Sequence, residues 1–327
     1  MFNALVLEQE EGKTLAAIKQ LDLSDLPDED VLVEVSYSSL NYKDGLAVTG
    51  TGKIVHSFPM VPGIDLAGVV KESRDPAFQP GDQVIMTGWS VGERYWGGYS
   101  QYARLKPEWL VKMPQGMDAA KAMTIGTAGL TAMLCVMALE DGGITPDSGT
   151  VVVTGAAGGV GSVAVAILSK LGYTVAGVTG RESTHDYLRG LGATELLSRE
   201  EMAEKARPLE KQRWAGAIDT VGDAILARVL AEMDYRGTVA ACGLAGGYKL
   251  PTTVMPFILR NVRLQGVDSV MCPIDIRTEA WNRLLSDLPA KALGEISNVV
   301  GLSELPQAAA DIVDGKIQGR TLVDPNK

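Results

Sequence analysis

The sequence is poor in cysteine and histidine, and its charge is weighted toward acid, so several classes of function are excluded at the outset. Its three cysteines, Cys135, Cys242 and Cys272, are widely separated along the 327 residues. That spacing predicts neither a disulfide framework nor a thiolate metal cluster, and we expect buried, inert thiols. The formal net charge of −10 argues against a partner that is a nucleic acid or an anionic membrane surface.

Neither a signal peptide nor a membrane span is expected from the sequence. The first eleven residues have no basic flank and become acidic too early for a signal peptide, so we expect a cytoplasmic protein. Residues 151–168 are apolar, but Gly, Ser and Thr cluster near their centre. This clustering favours a buried strand, turn and helix over a membrane span.

Turn residues and β-branched runs divide the chain into two parts. Up to about residue 117, short β runs are punctuated by Gly and Pro, which predicts an irregular β domain. From Asp118, a good helix N-cap, helical periodicity continues toward Leu139, with a break expected near Gly126 and Gly129. Strands and helices then alternate, and this pattern builds a doubly wound parallel sheet with right-handed crossovers. The predicted elements are strands 151–154, 173–179, 215–220 and 237–243 and helices 160–171, 184–191, 223–233 and 277–289.

The fold class predicted from this pattern is α/β with two domains. We assign residues 1–123 to the β domain and residues 124–296 to the dinucleotide-binding domain. A helix and a strand in the tail, within residues 297–327, are expected to return to the first domain.

The most informative segment is the β-branched run at residues 151–154, which enters a glycine-rich turn and emerges as an apolar helix. Such a turn holds a dinucleotide pyrophosphate, because glycines let backbone N–H groups approach the phosphates and the helix N-terminus supplies a positive dipole. The alternative is an ordinary buried strand-to-helix turn, but a second strand follows in the expected place. The predicted contacts are Gly158, Gly159, Val160, Gly161, Ser162 and Val163.

The end of the second strand indicates which dinucleotide binds. NAD sites place a carboxylate about 20 residues after the glycines, whereas NADP sites offer a cation to the 2′-phosphate. Here Arg181, Ser183 and Thr184 follow the strand, and Arg199 is a possible second cation. Glu182 is acidic and close, although its charge also suits the first turn of the next helix. We therefore predict NADPH as the cofactor, with solvated surface charges as the alternative interpretation.

Motifs over essentially the whole length resemble the medium-chain dehydrogenase/reductase superfamily. They are residues 38–44 (SSLNYKD), 62–68 (PGIDLAG), 80–84 (PGDQV), 126–131 (GTAGLT), the glycine loop and Gly319-Arg320. The resemblance implies a GroES-like β domain, a Rossmann doubly wound parallel sheet and a C-terminal return.

The metal ligands of the zinc enzymes in that superfamily have no counterpart here. By the resemblance, they would occur at Asn41, Ile64 and Thr127, and none of these side chains is a zinc ligand. Asp65 alone would bind a metal only weakly. The resemblance therefore implies a zinc-free enzyme with no metal site.

Longer runs narrow the resemblance further. Residues 88–98, 136–141, 180–185 and 256–269 resemble the acrylyl-CoA (acryloyl-CoA) reductase subfamily of the zinc-free, quinone oxidoreductase-like branch. That resemblance implies NADPH-dependent reduction of an acyl-CoA substrate, acryloyl-CoA, to propanoyl-CoA in a cytoplasmic homodimer. Two alternatives stay open, a reductase of quinones or free enones and a non-catalytic NADPH-binding protein, because fold cannot decide among them.

Reduction of an α,β-unsaturated thioester needs hydride at Cβ, stabilised charge on the thioester oxygen and a proton at Cα. Candidates for stabilising the oxygen are Asn41 and Tyr42, oriented donors in a dry cleft. Tyr42 or a bound water is the candidate proton donor, and Tyr42 is also expected beside the nicotinamide. Asp44 and Asp65 are expected to organise the site, with Arg320 as their cationic partner. The ordinary alternative is that these polar groups only join two segments.

Several further candidates follow from position alone. Leu244 and Ser269 are expected to flank the nicotinamide half, at the carboxyl ends of the sheet. His56 is expected at the surface, and His185 beside the adenosine, neither with a chemical role. By analogy with the superfamily, the edge strand at residues 262–267 is the candidate dimer interface. Candidates near the substrate entrance are the aromatic residues Trp89, Tyr95 and Trp96 and, for CoA phosphates, the cations Lys43, Lys53 and Arg94.

Overall fold

The computed structural model describes residues 1–290, 292, 297–317 and 319–327. The strands are β1 (Phe2–Glu10), β2 (Lys13–Leu21), β3 (Val31–Leu40), β4 (Asp65–Ser73), β5 (Gln83–Thr87), β6 (Tyr102–Leu105), β7 (Leu110–Lys112), β8 (Thr150–Val153), β9 (Thr174–Thr179), β10 (Glu195–Ser198), β11 (Trp214–Asp219), β12 (Met233–Ala241), β13 (Arg263–Gly266), β14 (Ser297–Gly301) and β15 (Arg320–Asp324). The helices are α1 (Tyr42–Thr49), α2 (Ala119–Asp141), α3 (Gly159–Lys170), α4 (His185–Leu191), α5 (Arg199–Ala203), α6 (Asp223–Glu232), α7 (Met255–Arg260), α8 (Ile274–Asp287) and α9 (Leu305–Val313).

By its packing the chain divides into two compact units. The first contains Met1–Thr127, Val270–Leu285 and the described residues of Leu293–Lys327. The second contains Ala128–Ser269 and the described residues of Ser286–Ala292. The predicted boundary had assigned residues 124–296 to one domain, and its end at residue 296 lies outside the described residues.

The stretch Val270–Leu285 therefore belongs to the first unit, although sequence reasoning placed it in the second. Its fully buried Arg277 explains why. The guanidinium donates to the backbone oxygen of Thr87 at 2.7 Å and to the Thr87 hydroxyl at 2.8 Å. A buried cation that has these partners would be left unsatisfied if the segment packed elsewhere.

The first unit is built on β-sheets, as the short β runs punctuated by Gly and Pro predict. One sheet has the strand order β14-β15-β3-β4-β5-β7, with β6 also paired to β3, and β1 and β2 form a separate antiparallel pair. Residues Val31, Val33 and Val35 of β3 pack in one core cluster with Leu66 and Val84, because alternate side chains of a strand share a face. β15 pairs antiparallel with β3, so the C-terminal strand lies in this unit.

The second unit contains a six-stranded parallel sheet in the order β10-β9-β8-β11-β12-β13. The chain runs from β8 outward to β10 on one side and then crosses to β11 on the other, so the strand order reverses between β8 and β11. This is the Rossmann order, and the predicted α/β fold class is confirmed. The carboxyl ends of β8 and β11 form the point where such sheets bind dinucleotides.

Helix α2 is interrupted at Gly126, which has φ 53° and ψ −161°, so the break expected around Gly126 and Gly129 is confirmed. One local prediction needs correction. Strand β12 begins at Met233 rather than residue 237, because an irregularity in its register lets Trp214 of β11 pair with Met233.

Helix α2 is also long and apolar enough to cross a membrane, yet 83% of its most apolar window is buried within the protein, as in a core helix.

Candidate active site

A buried polar cluster in the first unit begins at the start of α1. Asn41 is the N-cap of this helix and Asp44 is its third residue, and the two form a capping box. The Asp44 carboxylate accepts a hydrogen bond from the backbone N–H of Asn41 at 2.9 Å and another from that of Ile64 at 3.0 Å. The local sequence Asn-Tyr-Lys-Asp thus starts a helix and fixes the direction of its acidic side chain.

Asp65, the first residue of β4, is the second carboxylate of the cluster. It accepts from the Ser39 hydroxyl at 2.8 and 2.9 Å, from the Asn41 amide at 3.2 Å and from the backbone N–H of Thr127 at 2.8 Å. These donors surround both carboxylate oxygens. Within the described residues no group of three or more His, Cys, Asp and Glu is placed to hold a metal ion.

Arg320 reaches the same cluster from β15. Its guanidinium donates to the Ser39 hydroxyl at 3.0 Å, to the Asn41 side-chain oxygen at 3.2 Å and to the backbone oxygen of Thr124 at 3.1 Å. The predicted partnership of Arg320 with Asp44 and Asp65 therefore runs through Ser39 and Asn41.

The cluster closes around Gly126, which sequence reasoning did not assign to the site. A Cβ at this position would lie 2.7 Å from the Arg320 guanidinium, 2.8 Å from the Ser39 hydroxyl and 2.9 Å from the Asp65 carboxylate. Its φ of 53° is also unfavourable for a side-chain residue. The break in α2 and the arrangement of charges therefore both depend on glycine here.

Burial makes this cluster hold a proton near neutral pH. Loss of hydration, followed by repulsion from Asp65, raises the pKa of Asp44 to about 7, against the opposing effect of its hydrogen bonds. Burial likewise raises the pKa of Tyr99 well above its ordinary value, and burial lowers the pKa of Arg320. Two carboxylates and one guanidinium thus share a site from which water is largely removed.

Asn41 and Tyr42, the two predicted hydrogen-bond donors to the thioester oxygen, differ in solvent exposure. The Asn41 amide nitrogen has acceptors inside the cluster, on Ser39, Asp44 and Asp65. Tyr42, the next residue, is 55% exposed and lies in the first turn of α1. Of the pair, Tyr42 has the side chain that is accessible to a ligand.

The glycine loop in the second unit has the geometry of an anion site. Helix α3 begins at Gly159 with Gly158 as its N-cap, and the first helical bond runs from the N–H of Ser162 to the Gly158 oxygen at 2.9 Å. The N–H groups of Gly159, Val160 and Gly161 therefore precede the helical ladder and are available to phosphate oxygens. Ser162 and Val163, also predicted as contacts, have buried side chains within the helix.

Gly161 provides the close helix-to-strand packing of this loop. A Cβ on it would overlap the backbone oxygen of Gly155 and would lie 2.8 Å from the Cα of Ala156. Any side chain here would push the start of α3 away from the strand. The residues present therefore fit a dinucleotide pyrophosphate.

Cations lie where the 2′-phosphate of NADP is expected. Arg181 and Arg199 both have exposed side chains, and the Arg199 guanidinium lies 3.1 Å from where a Cβ of Gly180 would be. The two arginines thus flank the end of β9. Ser183 and Glu182 are exposed in the turn Glu182–Thr184, while the Thr184 hydroxyl donates to the Arg181 backbone oxygen at 2.7 Å.

The remaining candidates fall in different places. Leu244 follows β12 and is exposed, and Ser269 accepts a hydrogen bond from the Thr131 hydroxyl at 2.8 Å. Lys43 is paired with Glu93 at 3.0 Å, whereas Lys53 and Arg94 are exposed.

Comparisons with known proteins place the chain among reductases. Residues 27–115 match the family model for the alcohol dehydrogenase GroES-like domain, and residues 159–286 match that for zinc-binding dehydrogenase. The chain is 64% identical over 323 residues to the probable acrylyl-CoA reductase AcuI of Escherichia coli K12, covering 99% of both chains. It is 56% identical over 329 residues to the acrylyl-CoA reductase AcuI of Ruegeria pomeroyi, covering 100% of both. A crystal structure of E. coli K-12 YhdH with bound NADPH has a TM-score of 0.96 at 64% identity, covering 99% of this chain and 100% of that one.

Proposed function

Because the chain belongs to the quinone oxidoreductase-like branch of the medium-chain dehydrogenase/reductase superfamily, we propose that it reduces acryloyl-CoA to propanoyl-CoA with NADPH. The observation that carries this proposal is the similarity, over the full length, to two relatives that bear the name acrylyl-CoA reductase. The two arginines at the end of β9 support the choice of NADPH.

NADPH would be held by groups that the second unit already presents. The N–H groups of Gly159, Val160 and Gly161 would bind the pyrophosphate, and Arg181 and Arg199 would bind the 2′-phosphate through charge-assisted hydrogen bonds. When bound, NADPH supplies the hydride that adds to Cβ of the substrate.

The chain's own residues would supply the proton. Tyr42 is our candidate for the group that gives a proton to Cα, since its side chain is exposed while its backbone is fixed by the capping box of α1. Asp44, Asp65 and Arg320 would act as organisers that hold the start of this helix. One hydride and one proton add across the carbon–carbon double bond, and no metal is required.

The substrate's CoA portion carries phosphates. Because the net charge of the chain is −10, these phosphates need cationic side chains close to where they bind. Lys53 and Arg94 are the candidates, because both are exposed and Lys43, the third cation considered, is already paired with Glu93. We expect Lys53→Ala and Arg94→Ala to raise the KM for acryloyl-CoA and to leave the KM for NADPH unchanged.

We also infer a cytoplasmic homodimer. β13 is one of the two edge strands of the parallel sheet, and the exposed apolar side chains Val254, Ile258 and Leu259 precede it in the chain. Such edges and apolar patches support pairing with a second copy. Light scattering during size-exclusion chromatography measures the assembly, and a monomeric mass would refute the dimer.

The deciding experiment follows NADPH oxidation at 340 nm with acryloyl-CoA, crotonoyl-CoA and a soluble quinone, each repeated with NADH and with a chelator. Saturable turnover that favours acryloyl-CoA and NADPH, and that the chelator does not change, is the expected result. Faster turnover of the quinone would make the protein a quinone or enone reductase. Tight NADPH binding without turnover of any acceptor would make it a non-catalytic binder.

A further inference from the structure

A buried carboxylate in the second unit joins the ends of three strands and has no part in the function described so far. Asp219 is the last residue of β11 and is fully buried. Its carboxylate accepts from the Thr154 hydroxyl at 2.7 Å and from the backbone N–H of Gly222 at 2.8 Å. Its backbone oxygen accepts from the N–H of Cys242 at 2.9 Å. Asp219 thus connects the carboxyl ends of β8, β11 and β12.

The glycine loop begins after Thr154. The hydroxyl, the backbone oxygen and the backbone N–H of this residue all form hydrogen bonds. Its hydroxyl donates to Asp219 and accepts from the N–H of Thr220 at 3.0 Å, while its backbone oxygen accepts from the Thr220 hydroxyl at 2.9 Å. Its own N–H donates to Ile218 at 3.0 Å. These hydrogen bonds fix the position of Thr154 relative to β11.

The position of Thr154 determines that of the loop. The next residue, Gly155, has φ 59°, and a Cβ on it would overlap the Thr220 hydroxyl. Gly161 in turn packs against Gly155, as described above. A displacement of Thr154 is therefore passed through Gly155 to the N-terminus of α3, where the free N–H groups lie.

The energetic cost of this arrangement points to a role beyond packing. Burial raises the pKa of Asp219, and hydrogen bonds from Thr154, Gly222 and Val221 act against that effect. A buried carboxylate is costly unless donors saturate it, and an apolar residue would suit a strand end with less penalty. The carboxylate lies where the strand order reverses, at the edge that binds dinucleotides.

We propose that Asp219 and Thr154 are positioning residues for NADPH, whose hydrogen bond holds the glycine loop so that its N–H groups converge on the pyrophosphate. The proposal rests on NADPH being the cofactor. It predicts a selective defect: without the bond, the pyrophosphate is held less well, while the arginines that meet the 2′-phosphate are unaffected. Adenosine 2′-monophosphate carries that phosphate and lacks the pyrophosphate, so it separates the two sites.

The test compares Thr154→Val, which keeps the shape and removes the hydroxyl, with Thr154→Ser, which keeps the hydroxyl. Dissociation constants for NADPH and for adenosine 2′-monophosphate are measured by calorimetry on the full-length protein, alongside kcat at saturating NADPH. For Thr154→Val we expect the NADPH constant to rise about tenfold, the nucleotide constant to stay unchanged and kcat to be retained. Thr154→Ser should restore NADPH binding.

Asp219→Asn provides a second route, because it removes one acceptor and should weaken NADPH binding in the same selective way. Asp223→Asn, four residues further on, is the matched control and should bind both ligands as the wild type does. Equal NADPH constants for wild type and Thr154→Val, or an equal loss of both ligands, would overturn the positioning role alone. Failure of the wild type to bind NADPH would overturn the proposed function as well.

Discussion

Replacement of Asp44 by Asn should change how the protein's stability depends on pH. The pKa of this carboxyl rises from 3.8 to about 7 in the folded protein, mainly because burial disfavours its charged form. The native state therefore keeps a proton that the unfolded chain releases. The resulting stabilisation is complete below the unfolded pKa and is lost as pH rises through the folded one.

The size of the effect follows from the shift. Each pKa unit corresponds to 1.36 kcal/mol, so the whole change is worth about 4 kcal/mol, of which about 2 kcal/mol falls between pH 5 and pH 7. Asn cannot titrate. The free-energy cost of losing the hydrogen bond that its amide NH₂ group cannot accept is the same at every pH. The difference in free energy of unfolding, wild type minus Asp44→Asn, should therefore fall as pH rises.

Urea unfolding at fixed ionic strength, in steps from about pH 5 to about pH 8, measures this difference across the titration window of the shifted group. Asp147→Asn is the control, since Asp147 is exposed and its replacement should leave the pH profile parallel to that of the wild type. A difference between wild type and Asp44→Asn that stays constant over this range would refute the reasoning. It would mean that Asp44 is already ionised in the native cluster.

Three further outcomes are expected. Arg181→Ala should raise the NADPH dissociation constant by about tenfold or more through loss of a charge-assisted hydrogen bond and should leave NADH binding unchanged; equal losses for both would contradict the 2′-phosphate site. Tyr42→Phe should lower kcat by about 100-fold with little change in melting temperature, because the side chain is 55% exposed; unchanged turnover would remove it as proton donor. Gly126→Ala should destabilise by about 1–2 kcal/mol more than Gly143→Ala, since both have positive φ but a Cβ meets neighbours only at Gly126; equal melting temperatures of the two variants would contradict the close contacts.

The predictions that agree best with the structure depend on neighbours in the sequence. The glycine loop lies between β8 and α3, where the β-branched run and the glycines placed it, because strand, turn and helix follow from rules that act over a few residues. Asn41 and Asp44 lie together for the same reason, as the two ends of one capping box. The parallel sheet likewise follows from the alternation of elements along the chain.

Ser39, Tyr99 and Gly126 could not be assigned to the buried cluster from the sequence, because no local pattern marks them. Their neighbours come from distant parts of the chain: the bond between Arg320 and Ser39 joins residues 281 positions apart. Asp219 is a similar case, since a polar residue at the end of a buried strand has no signature of its own.

The sequence by itself determined the α/β architecture, the glycine loop and the charges that suggest NADPH, because backbone geometry, hydrophobic period and helix capping act locally. Only the tertiary structure decided that Val270–Leu285 packs in the first unit and that Arg320 reaches Asp65 through Ser39. It also decided that Asp44 is buried enough to hold a proton near neutral pH. Those properties depend on desolvation and on contacts between residues far apart in the chain. Both exist only once the chain has folded.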